Sequence, residues 1–143
     1  MFLIDTNVIS ELRKGHRANA HVTAWLGRQN DEQLFLSVLV VGELRRGIER
    51  IARRDKAAAM ALEAWLNRVV HAHEDRILPV DLEVAQAWGR LNVPDPLPVM
   101  DSLLAATAHV HGLTVVTRNT SDFDRTGVPT LNPFLKTSPV LQP

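Results

Sequence analysis

Cysteine is absent from the 143 residues of this chain, which removes disulfides, zinc–thiolate centres and thiol catalysis together. Tyrosine is absent too, and aromatic residues amount to only 5%. A surface that reads single-stranded nucleic acid by stacking bases on rings is therefore not expected. Neither sign of charge is in excess, because 16 Lys+Arg balance 16 Asp+Glu. Net charge thus gives no support to nucleic-acid binding, although a local basic stripe can do the same electrostatic work. Long hydrophobic runs are missing as well: residues 34–41 are interrupted by Ser37 and fall far short of a bilayer span. Strand-like Phe2-Leu3-Ile4 follows Met1 where a signal peptide would place a charged and then an apolar region, so a cytoplasmic location is expected. No G-x-G-x-x-G and no P-loop occurs, which argues against dinucleotide binding and P-loop ATPase chemistry.

What is present is an ordinary globular composition, 45% hydrophobic and 22% charged. One domain of this length buries roughly two-thirds of its unfolded surface. Residues 2–5 read as a buried first strand, and Thr6-Asn7 offer a capping start to a short helix over 8–13, ended by Gly15. A second helix is predicted over 19–27, with Val22, Trp25 and Leu26 at helical spacing. Residues 34–37 form a second strand. Val41, Leu44, Ile48 and Ile51 then make the apolar stripe of an amphipathic helix. The alanine-rich stretch 55–70 predicts another helix, with Met60, Trp65 and Leu66 as core positions. A third strand at 77–80 and a helix at 82–91 follow. The proline-rich segment 93–98 is loop. Asp101 opens a helix to about His111, stopped by Gly112. Strands at 114–117 and 130–131 close the domain, taken as residues 1–132, and 133–143 form an irregular tail packed on it. Strands alternating with helices predict a three-layer α/β/α sandwich around a mostly parallel sheet of four or five strands.

Asp5, Glu43, Asp101 and Asp122 each stand at, or a few positions past, the end of a short apolar run. In a parallel α/β sheet the segments after the strands gather at one edge, so acids far apart in sequence can meet there. Crowded carboxylates repel unless protonated or bridged by a cation, and an all-oxygen site suits Mg²⁺ or Mn²⁺. Singly, each acid has an ordinary reading: Asp5 as a helix cap, Glu43 as an exposed helix residue, Asp101 as a first-turn acid facing the dipole, Asp122 as a turn residue. The recurrence of the pattern in order favours the shared pocket.

Four blocks carry a resemblance. Phe2-Leu3-Ile4-Asp5-Thr6-Asn7 resembles the opening of PIN-domain nucleases. Leu36-Ser37-Val38 with Gly42-Glu43-Leu44-Arg45-Arg46-Gly47-Ile48 is similar to their second block. Asp101-Ser102-Leu103-Leu104-Ala105-Ala106-Thr107-Ala108 is similar to the third, and Val116-Thr117-Arg118-Asn119 with Asp122-Phe123 to the last. The likeness spans nearly the whole chain and is strongest to the VapC-type toxins of bacterial toxin–antitoxin pairs, in their FitB-like branch. It implies a Mg²⁺-dependent endoribonuclease, with Mn²⁺ able to substitute, whose acidic pocket is Asp5, Glu43, Asp101 and Asp122. Asp5 and Asp101 would bind metal directly, and Glu43 and Asp122 directly or through water. Thr6, Thr117 and Asn119 would orient those ligands or the phosphate. Asn119 departs from relatives that carry a further acid there, which lowers the charge available to a second ion. The resemblance also implies an RNA substrate, a homodimer and an inhibitory antitoxin protein. The alternative is an inactive PIN-like module that grips RNA or an antitoxin without cutting.

Arg46 and Arg50 lie at i+3 and i+7 from Glu43, on one helical face, as RNA-phosphate contacts. The competing reading is a solvated face on which Glu49 pairs with Arg45 and Arg53. His71/His73 and His109/His111 alternate instead of pairing at i, i+4, and are read as surface or structural. Trp25, Trp65 and Trp88 are read as core. A haloacid-dehalogenase-type phosphotransferase needs an acid where Asn7 stands, and a receiver domain needs a lysine that Lys14, Lys56 and Lys136 do not supply.

Overall fold

The computed structural model describes residues 1–136. Five short strands, β1 (Phe2–Ile4), β2 (Leu34–Ser37), β3 (Ile77–Leu78), β4 (Thr114–Val116) and β5 (Thr130–Leu131), pair in the order β3-β2-β1-β4-β5. Every pairing is parallel. The helices are α1 (Thr6–Leu12), α2 (Ala20–Gly27), α3 (Val38–Ala52), α4 (Lys56–Ala72), α5 (Leu82–Leu91) and α6 (Val99–His111). Single 3₁₀ segments cover Gly15–Arg17, Asp31–Gln33 and Thr120–Thr126.

The layers follow from handedness. Steps from β1 to β2 to β3 move one way across the sheet, and right-handed crossovers carry α1 to α4 onto one face. The return from β3 to β4 runs the other way and carries α5 and α6 onto the opposite face. The contacts agree: α1 packs on α2 and α3, α3 on α4, and α5 on α6. Strands covered on both faces need apolar residues throughout, and Leu3, Ile4, Leu36, Val115 and Val116 are at most 1% exposed. Each such side chain contributes about 1.5–3 kcal/mol of transfer free energy. Phe2 and Trp25 meet edge to face at 4.9 Å, fastening α2 to the sheet.

Helix boundaries follow capping chemistry. Asn19, Ser37, Asp55 and Asp81 each accept backbone N–H groups at the starts of α2, α3, α4 and α5. Gly112 closes α6 in the left-handed conformation, φ 66°. Four expectations need correcting. Helix α6 begins at Val99, directly after Pro98, and not at Asp101. The first helix begins at Thr6 because Asp5, not Thr6-Asn7, is the cap. The third strand stops at Leu78, since Pro79 has no N–H for the ladder. Met60 is 70% exposed, because the buried face of α4 runs through Ala59 and Leu66. Trp25 is buried and Trp65 and Trp88 pack against the core as expected. Of the tail, Phe134 sits under the Arg118 guanidinium at 4.3 Å, while residues 137–143 lie outside the described residues. No helix among the described residues is long and apolar enough to cross a membrane.

Candidate active site

β1 and β4 are neighbours whose outgoing connections run in opposite directions, the place where open parallel sheets form a crevice beyond their carboxyl ends. Asp5 is the first residue past β1. Its Oδ1 accepts the Thr6 N–H at 2.7 Å, and its Oδ2 accepts the hydroxyl of Thr117, just past β4, at 2.8 Å. The direction of the second bond is forced. Thr117 Oγ1 accepts the Asn119 N–H at 3.1 Å and, more loosely, Asn7 Nδ2 at 3.4 Å, so its single proton goes to Asp5. Asn7 Oδ1 also accepts the Arg118 N–H at 3.1 Å. Both strand ends are thereby tied into one polar lattice.

Glu43 enters from the second turn of α3, and its Oε1 accepts the Thr6 hydroxyl at 2.7 Å. Asp101 lies in the first turn of α6, and Asp122 in the 3₁₀ segment after β4. The four acids thus come from four separate segments. Burial pushes the Asp5 carboxyl above its ordinary range; the bonds from Thr117 and Thr6 oppose this, and the charges of Glu43 and Asp122 reinforce it. Burial also raises Asp101, followed by repulsion from Asp122, Asp5 and Glu43. All four carboxylates therefore share one electrostatic neighbourhood. None of them takes part in an ion pair among the described residues.

A concentrated negative charge with no basic partner is the donor set a hard divalent cation fits. As the side chains stand, no three of the acids or histidines among the described residues form a ready coordination shell. The hydrogen bonds from Thr6 and Thr117 hold Glu43 and Asp5 in place, and an ion that keeps several waters reaches such carboxylates partly through its hydration shell.

Thr6 and Thr117 thus contact Glu43 and Asp5 through their hydroxyls, whereas Asn119 contributes its backbone N–H, its side chain making no hydrogen bond among the described residues. Asn7 was not among the anticipated site residues. Its place two residues past Asp5 was the only signal, since its partners lie more than a hundred positions away. Arg46 and Arg50 are exposed and unpaired among the described residues, because Glu49 and Glu63 both engage Arg45, at 3.7 and 3.0 Å. Beside Glu43 lies a groove of about 250 Å³ lined by Val38, Leu39, Gly42, Arg46 and Met100. A wider depression of about 540 Å³, at the start of α5, shares no lining residue with the acids.

Comparison with known proteins agrees with this fold. The family described as PIN domain matches residues 2–129. A VapC ribonuclease, Y4jK, of Sinorhizobium fredii is 36% identical over 139 residues, covering 94% of this chain and 98% of that protein. Toxin FitB of Neisseria gonorrhoeae is 34% identical, covering 94% and 99%. The crystal structure of FitAcB from the same organism superimposes with a TM-score of 0.86 at 34% identity, over 94% of this chain and 99% of that one. FitAB bound to a DNA fragment gives 0.86 at 31%, over 97% and 99%. The chain belongs to the PIN-domain family, alongside the VapC and FitB toxins.

Proposed function

We propose that this chain is a Mg²⁺-dependent endoribonuclease and the toxin of a toxin–antitoxin pair. The observation that carries the reading is the set of four mutually repelling carboxylates at the β1/β4 crevice, none of them in an ion pair among the described residues. Asp5 and Asp101 would hold the ion directly, and Glu43 and Asp122 directly or through water, with Mn²⁺ able to substitute. When bound, the cation acidifies a water and shields charge on the phosphoryl oxygens. Glu43 or Asp122, whichever is not a direct ligand, accepts the proton of the attacking water and aims it at phosphorus. Thr6 and Thr117 keep the carboxylates oriented by donating to Glu43 and Asp5. Arg46 and Arg50, on the face of α3 that follows Glu43, bind flanking RNA phosphates.

Relatives named ribonuclease and toxin support the activity, and neighbours solved as FitAB complexes support an antitoxin partner. A homodimer and a cytoplasmic setting belong to the same reading. The test is mapping of cleaved ends in total RNA treated with purified wild type, Asp5→Asn and Asp101→Asn in Mg²⁺. Wild type cuts, and each variant loses at least about 100-fold, more than loss of an outer-shell partner usually costs. Full activity in either variant refutes the assignment. A folded wild type that binds RNA without cutting identifies a binding module instead.

A further inference from the structure

The groove beside Glu43 has a floor that no contact among the described residues explains. Val38, Leu39, Gly42, Glu43 and Arg46 line it from α3, and Met100 closes it from the start of α6. Gly42 sits in the second turn of a 15-residue helix, where glycine is less stable than alanine. A Cβ there meets no heavy atom within 4 Å among the described residues, so none of them forbids a side chain. Its φ is ordinary for a helix, so conformation does not demand glycine either. Val38, at the rim, is 42% exposed although apolar. A bare helix surface, an exposed aliphatic and an arginine unpaired among the described residues thus adjoin Glu43 in one depression.

We propose that this groove seats one unstacked base of the RNA next to the scissile phosphate, with Arg46 on the adjoining phosphate. The proposal rests on the ribonuclease reading and names a subsite within it. Continuity is the first argument: Glu43 belongs to both groove and acidic cluster, so a strand crossing the acids brings a nucleotide here. Size is the second. About 250 Å³ is less than the ~300–1,000 Å³ of pockets that enclose drug-sized ligands, and it suits a single planar ring system. Charge is the third, because an unpaired arginine at the edge of an apolar slot matches a base carried on an anionic backbone. The aliphatic lining provides van der Waals contact with the base faces and no hydrogen-bond code, so the subsite accepts any base that leaves its stack.

Binding is measured in Mg²⁺ by fluorescence anisotropy with labelled single-stranded oligoribonucleotides, using Asp5→Asn as the parent to suppress cutting. Adding Gly42→Leu fills the groove and should raise Kd about tenfold, within the range that loss of one base contact produces. An oligonucleotide set carrying an abasic ribose at each position in turn should show one sensitive position with the parent and none with the leucine variant. Gly89→Leu, at another open helical glycine that does not line the groove, serves as the control for adding bulk and should bind as the parent does. Melting curves identify any variant that fails to fold, in which case Gly42→Gln replaces Gly42→Leu. Parent-like affinity in a folded Gly42 variant overturns the proposal and leaves the groove to a protein chain. A flat abasic scan with the parent overturns the base assignment. Both readouts are independent of cleavage, so a wild type that fails to cut RNA defeats the nuclease reading without altering either result.

Discussion

Asp101 carries its charge without a donor to share it. No hydrogen bond reaches its carboxylate among the described residues, and burial with three acidic neighbours raises its pKa above the ordinary 3.8. The folded state therefore holds this proton more tightly than the unfolded state does. Between the two pKa values folding takes up a proton, so stability falls as pH rises through the window and the full penalty is present at neutral pH. In EDTA at pH 7, Asp101→Asn should melt roughly 1–3 °C higher than wild type, a modest gain because the group is partly solvated. The difference should close as pH is lowered through the raised pKa; a gap that widens toward acid pH, followed by calorimetry, contradicts the crowding. Asp5 differs because Thr6 and Thr117 partly offset its burial. That Asp5 and Asp101 were acids near strand or helix ends was legible in the sequence. That Thr117 gives its proton to Asp5 was not, since the bond spans 112 positions.

The first turn of α6 carries Asp101, and α5 braces it. Trp88 Nε1 donates to Ser102 Oγ at 2.9 Å, and Ser102 donates to the Val99 carbonyl at 3.0 Å. Asn92 ties the same corner, donating to the Trp88 carbonyl at 2.7 Å and accepting the Leu97 N–H at 2.8 Å. Trp88→Phe keeps the packing and removes one donor next to a buried hydroxyl. It should cost about 0.5–1.5 kcal/mol in denaturant unfolding and reduce RNA cleavage severalfold as the Asp101 turn loosens. Unchanged activity with the stability loss confines Trp88 to a structural role. The Gly112 cap could be read locally, because a cap and its helix are sequence neighbours, whereas Asn19 and Asp55, inside the helices predicted from sequence, instead cap α2 and α4 from outside. The start of α6 was misplaced at Asp101. It lies at Val99, because Pro98, at φ −52° and ψ 136°, is extended and the helix begins directly after it.

Across the whole molecule, the strand order decides which acids share a field. The β1–β4 neighbourhood brings residues from both ends of the chain together, and the opposed crossovers open the crevice between them. A cation bound there favours only the folded state. Mg²⁺ at about 100 times its Kd should stabilise the protein by about 2.7 kcal/mol, a rise of about 5–10 °C in Tm for a chain of this size. EDTA should reverse the shift, and the Asp5→Asn/Asp101→Asn double variant should not show it. A wild type whose Tm ignores Mg²⁺ rules out a metal held by these carboxylates.

The alternation of strands and helices, the Gly112 cap, the ordered acidic blocks and the family they resemble were all legible in the order of residues along the chain. These are periodic or nearest-neighbour properties, set by where apolar side chains and turn residues fall along the chain. It took the folded arrangement to show that Thr6 reaches Glu43, that Asn7 and Thr117 lock the Asp5 corner, that Met60 faces solvent and that a bare-floored groove adjoins Glu43. Those contacts depend on how the sheet orders its strands and how each helix rolls on it, and local pattern does not encode either.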